Sequence, residues 1–134
     1  MKRKILMLTI LAICLLSVKV DINAKEYEER PLMYHMKGTA YCLNGITSSG
    51  QKVRKGICAG RQEWLGKTVV MYQRLPNNKL GQFIGIYECL DTGCHKNVID
   101  VWQEDEEDCQ EFMDLLYTDN AQGNIYIQVI DAKG

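Results

Sequence analysis

From Met36 onward, short runs of β-branched, aliphatic and aromatic residues alternate with clusters of Gly, Asn, Ser, Thr and Asp. That texture predicts strands joined by turns. The runs fall at residues 38–43, 55–60, 68–74, 82–90, 98–102 and 125–130. Asn44-Gly45 with Thr47-Ser48-Ser49-Gly50 reads as a small-residue loop, and Pro76-Asn77-Asn78-Lys79-Leu80-Gly81 as a hairpin connection. One segment departs from the strand period: Cys109, Phe112, Met113 and Leu116 recur at i, i+3, i+4 and i+7. The acidic run Glu104-Asp105-Glu106-Glu107-Asp108 precedes it. Acidic residues at a helix N-terminus satisfy orphan amides and suit the macrodipole, so a helical first turn is expected there rather than a cation site. About six short strands with one helix before the last predict a mainly β fold, closed as a small barrel because closure protects edges that so small a sheet would expose.

The N-terminal segment has a different pattern. Met1-Lys2-Arg3-Lys4 is followed by an uncharged apolar run from Ile5 to Val18, shorter than the ~20 residues a helix needs to cross the hydrocarbon. Residues 1–24 therefore read as a signal peptide or N-terminal anchor, with cleavage expected after Ala24. Residues 25–35, charged and unpatterned through Glu26, Glu28, Glu29, Arg30 and Pro31, read as a linker. The folded domain is expected over 36–134. An extracytoplasmic protein, secreted or held in the cell envelope, follows, touching a membrane only through the N-terminal segment if that is uncleaved.

Composition narrows the partners. Removing 1–24 takes away Lys2, Arg3, Lys4, Lys19 and Asp21, net plus 3, so the overall charge of minus 1 becomes minus 4. An acidic body without a basic run argues against nucleic acid. Its size suits one core and a monomer. Five cysteines follow the leader, Cys42, Cys58, Cys89, Cys94 and Cys109, an odd number without a Cys-x-x-Cys pair. At least one is a thiol or pairs with another chain, and the simplest reading is buried small hydrophobes plus one disulfide at most. Cys89, Cys94 and His95 are three potential metal ligands without a second cluster, so no metal is expected. The absence of a glycine-rich phosphate loop gives no reason to expect another cofactor.

The candidate chemistry lies between Glu88 and Trp102. Asp91 stands in Asp91-Thr92-Gly93, and Asp100 in Val98-Ile99-Asp100-Val101-Trp102. Both faces of that second run are otherwise apolar, which leaves Asp100 no solvent-facing side. Such a carboxyl either has a partner or keeps its proton to higher pH, as a general acid must.

Gly38-Thr39-Ala40-Tyr41, Thr47-x-Ser49-Gly50, Val53-Arg54-x-Gly56-Ile57-Cys58-Ala59, Leu65-Gly66, Asp91-Thr92-Gly93, Val98-Ile99-Asp100-Val101 and the late helix resemble, in that order, the 3D (three-aspartate) domain family. The resemblance covers nearly all of residues 36–131. It implies a six-stranded double-psi β-barrel related to the barrel of membrane-bound lytic transglycosylase A and to stationary-phase muralytic proteins of bacteria. It also implies action on peptidoglycan glycan strands, at the β-1,4 bond between N-acetylmuramic acid and N-acetylglucosamine. The family's catalytic aspartate falls on Asp100, with Asp91 close by; Thr92 and Tyr41 are then expected to bind substrate. Four features depart from the family pattern, one being a connection from Asp91 to Asp100 shorter than the common form. Gly60 stands where the first aspartate follows Ala, Cys94 stands where a second glycine follows Asp-Thr-Gly, and Leu65-Gly66 lacks a preceding proline.

Plainer readings exist for the same residues. Asp-Thr-Gly is often only an Asx-type turn. A buried Asp100 fed by loop amides would be inert as an acid. Tyr41 and Trp102 suit packing, and His95 a polar loop. Two other function classes fit: a wall-binding barrel that does not cut, and a dimeric aspartic peptidase, whose paired loops share a proton.

Overall fold

The computed structural model describes residues 32–93 and 95–131; the expected signal segment, most of the linker and Cys94 lie outside them. The protein is mainly β, with one six-stranded sheet and one α-helix. The strands are β1 (Met33–Tyr41), β2 (Ile57–Ala59), β3 (Thr68–Leu75), β4 (Lys79–Asp91), β5 (Val98–Trp102) and β6 (Asn124–Ile130), and helix α1 is Glu106–Tyr117. Their pairings run β1-β5-β2-β4-β3-β6 and close back onto β1. Two pairs are parallel, β1 with β5 and β2 with β4; the others are antiparallel.

Several boundaries differ from the sequence reading. β1 begins at Met33, so the last three residues of the expected linker are strand, paired to β6 through Tyr34↔Ile127 and His35↔Tyr126. The His35 and Tyr126 rings meet edge to face at 5.0 Å. An exposed His on a polar-looking segment gives no sequence signal for that pairing. The expected strand at 55–60 contracts to Ile57–Ala59. The hairpin connection is likewise tighter: Pro76–Asn78 forms a 3-10 turn, with Asn77 and Asn78 at φ 63° and 59°, and Leu80 and Gly81 already belong to β4. Asparagine tolerates that left-handed backbone better than most residues.

The acidic run behaves as a helix start. Asp105 is the N-cap of α1, its Oδ1 accepting from the Asp108 amide at 2.8 Å. Phe112 and Leu116 are buried, with Met113 packed beside them. Inside the ring of strands lie Met36, Cys58, Val69, Met71, Cys89, Ile99, Val101, Ile125 and Ile127, together with Trp64 from the β2–β3 connection. A smaller cluster, Ile57, Leu90 and Trp102 with Tyr41 and Val53, covers the other face of β2, β4 and β5. The two clusters alternate residue by residue, Ile57/Cys58 and Val101/Trp102, as the strand period requires.

Candidate functional site

That alternation decides where Asp100 points. Ile99 and Val101 face the inner core, so Asp100 and Trp102 face the outer cluster. The expectation that Asp100 has no open side is corrected here. The residue is half-buried, because the outer face is only partly roofed, by Tyr41 and the loop of residues 42–56. Trp102 anchors that loop, its Nε1 donating to the Leu43 carbonyl at 2.9 Å.

Asp91 reaches the same face by a break in register. β2 and β4 pair as Cys58↔Cys89 and then Ala59↔Asp91, so Leu90 is the extra residue of a bulge. Strict alternation would send Asp91 inward with Cys89; the inserted residue re-aims it outward. On its other side Ala59 pairs with Asp100, and Asp100 pairs with Thr39 of β1. Thr39, Asp100, Ala59 and Asp91 thus form one row across four adjacent strands. The two aspartates are each one strand from Ala59, which places their backbones roughly 10 Å apart. Ala59, between them, is itself buried.

The two carboxyl groups are held differently. Asp91 Oδ1 accepts from the Ser48 amide at 3.0 Å and the Thr92 amide at 2.9 Å, and the Tyr41 phenol donates to Oδ2 over 3.5 Å. Asp100 Oδ1 accepts from the Thr39 hydroxyl at 2.9 Å. Burial pushes the Asp100 carboxyl above its ordinary range; the Thr39 hydrogen bond opposes this, and the charge of Asp91 adds to it. The Tyr41 phenol is also pushed up, by burial first and then by the charges of Asp91 and Asp100, so it remains a proton donor at neutral pH.

The structure brings together all four residues expected from the sequence. Thr92 Oγ1 donates to Ser48 Oγ at 3.1 Å, tying the Asp-Thr-Gly turn to the 42–56 loop. Gly93, at φ +105°, supplies the backbone conformation that ends β4. Sequence reasoning missed Thr39 and Ser48 as site residues. Thr39 lies in the quoted Gly-Thr-Ala-Tyr stretch, but its pairing to Asp100 spans 61 residues, and Ser48 meets Asp91 through its backbone amide. His95 is an exposed loop residue, as expected.

Beside Thr92 opens a cleft of about 460 Å³, lined by Gly60, Arg61, Gln62, Glu63, Thr92, Gly93 and Lys96. Its lining stops short of Asp91 and Asp100. Gly60 sits at its inner end, and a Cβ built there would meet Ile99 Cδ1 at 3.1 Å and Cys89 Sγ and Trp64 Cε3 at 3.2 Å. A side chain at this position would therefore need those neighbours to give by a few tenths of an ångström. Among the described residues, no three His, Cys, Asp or Glu side chains converge as a metal site would require. Comparisons with protein-family models, with curated proteins and with solved structures give no match for this chain.

Proposed function

We propose that the protein cleaves peptidoglycan glycan strands by lytic transglycosylation, with Asp100 as acid and then base, on a double-psi form of the closed six-stranded sheet. One observation carries this reading: a half-buried carboxyl that burial and a neighbouring charge keep protonated to higher pH, facing outward and held by a hydroxyl rather than by main-chain amides. The paired parallel ladders, β1 with β5 and β2 with β4, support the double-psi assignment.

In the proposed reaction Asp100 gives its proton to the glycosidic oxygen as the bond from C1 of N-acetylmuramic acid breaks. The sugar's own 6-hydroxyl then attacks C1 and returns its proton to Asp100. One carboxyl group serves both steps, unlike ordinary glycoside hydrolysis, which uses two. Asp91 steadies positive charge developing on the ring. Tyr41 and Thr92 serve as binding residues beside the two carboxyl groups.

A second reading, a wall-glycan-binding barrel that does not cut, is favoured by the cleft whose lining omits both carboxyl groups. Digestion of purified peptidoglycan with the full chain, followed by mass spectrometry of the soluble products, separates the readings. Anhydro-muropeptides are expected, with Asp100→Asn folded and inactive. Reducing ends instead would overturn the intramolecular step. Co-sedimentation with peptidoglycan and no products would leave the binding reading.

A further inference from the structure

The mechanism uses no thiol, yet the fold sorts four of its cysteines into two neighbouring pairs. Cys58 and Cys89 are register partners on β2 and β4, share a thiol hydrogen bond and are fully buried in the inner core. Cys42 and Cys109 are 67 positions apart in sequence, one directly after β1 and the other in the first turn of α1. The Gln103 amide donates to the Tyr41 carbonyl at 2.7 Å, carrying the β1–β5 pairing past Trp102 and bringing the approach to α1 alongside Cys42. The Cys42 and Cys109 thiols lie close enough for Cys42 to raise the Cys109 thiol, and both are only half-buried.

We infer that Cys42 and Cys109 are a disulfide-forming pair, and that Cys58 and Cys89 remain thiols. Access makes the difference: exchange requires an oxidant to reach a sulfur, and the core pair presents none. In the balanced step the two thiols give two electrons and two protons to a small-molecule disulfide. One S–S bond forms in the protein, and the oxidant leaves as two thiols. The new bond closes a loop holding β2 to β5 and both aspartates, and fastens α1 to the strand that carries Thr39. Constraint of so long a loop acts chiefly on the unfolded chain, so the oxidised protein is the more stable one. The inference does not depend on the glycan-cleaving reading.

The test equilibrates the full chain in oxidised glutathione at mildly alkaline pH. The alkaline buffer is needed because burial, Cys42 and the charges of Asp100 and Asp105 push the Cys109 thiol up to about 11. Non-reducing peptide mapping should find the Cys42 and Cys109 peptides joined, with Cys58 and Cys89 alkylated after unfolding. Tm should rise by ~10 °C or more over the reduced protein, and Cys109→Ser should abolish that rise. Alkylation of both Cys42 and Cys109 in the oxidised sample, or either one joined to another cysteine, would overturn the pairing. A joined pair with no rise in Tm would overturn the stabilising role.

Discussion

Replacing Thr39 by Val removes one hydroxyl from the site and keeps its shape. That hydroxyl donates to Asp100 Oδ1 at 2.9 Å and favours the ionised carboxylate, whereas burial and Asp91 favour the protonated acid. Because the folded-state pKa of Asp100 is raised, the folded chain holds this proton longer than the unfolded chain does. The resulting stability is fully present below the unfolded value and is lost as pH rises through the folded one. Thr39→Val raises the folded value further and so enlarges that loss. A hydrogen bond to a charged group contributes ~1.5–3 kcal/mol and a neutral one ~0.5–1.5 kcal/mol. Partial exposure puts both at their lower ends. The variant should therefore lose about 1.5 kcal/mol at pH 9, where Asp100 is ionised, and about 0.5 kcal/mol at pH 3, where it is neutral. For a domain of this size that is a drop in Tm of roughly 6–12 °C at pH 9 and 2–4 °C at pH 3, followed by far-UV circular dichroism. Thr39→Ser, which keeps the hydroxyl, should retain the wild-type pH dependence. An equal drop at both pH values, or none at pH 9, would refute the coupling.

Gln73 is fully buried; its Nε2 donates to the Leu115 carbonyl at 2.9 Å and to Thr118 Oγ1 at 2.8 Å, and its Oε1 accepts from the Gln82 amide at 3.3 Å. Gln73→Leu leaves these partners under-satisfied at the junction of β3, β4 and the end of α1. It should cost about 2–3 kcal/mol in urea unfolding, and a loss under about 1 kcal/mol would contradict the network's role. Gly60→Ala should cost about 1–2 kcal/mol, since its Cβ crowds Ile99, Cys89 and Trp64; a neutral or higher Tm would show that this pocket yields. Ala59→Leu enlarges a buried side chain on the strand between those carrying Asp100 and Asp91. Product release from peptidoglycan should fall at least tenfold while the circular dichroism spectrum is kept, and unchanged turnover would show that the spacing of the two carboxyl groups does not govern cleavage.

The strands and the helix were legible because each rests on a local period. Val98 to Trp102 had to be a strand, and Cys109, Phe112, Met113 and Leu116 had to share a helix face behind an acidic cap. Asp91 and Asp100 stood out because a carboxylate in apolar company needs an explanation wherever it occurs. Their placement on one face was not legible. It depends on Leu90 being an unpaired bulge residue, and a bulge changes the face without changing the composition. The openness around Asp100 was misread for a related reason. Both flanks of β5 are apolar, but one flank meets the inner core and the other a partial roof, and only the tertiary arrangement tells them apart. Thr39, the hydroxyl partner, came from a strand distant in sequence, and Ser48 meets Asp91 through a backbone amide that almost any residue could supply.

What separates the roles of the two aspartates is the kind of donor each one meets. A backbone amide can only donate, so Ser48 and Thr92 hold Asp91 Oδ1 as a permanent acceptor. A hydroxyl can donate to a carboxylate and, by rotating, accept from a carboxylic acid. Thr39 can therefore partner Asp100 in either state, and the carboxyl can lose and regain a proton without losing its position. A group that acts first as acid and then as base needs such a partner. Asp91 meets a hydroxyl too, the Tyr41 phenol at Oδ2, but of the two aspartates in this row it alone is also fixed by backbone amides.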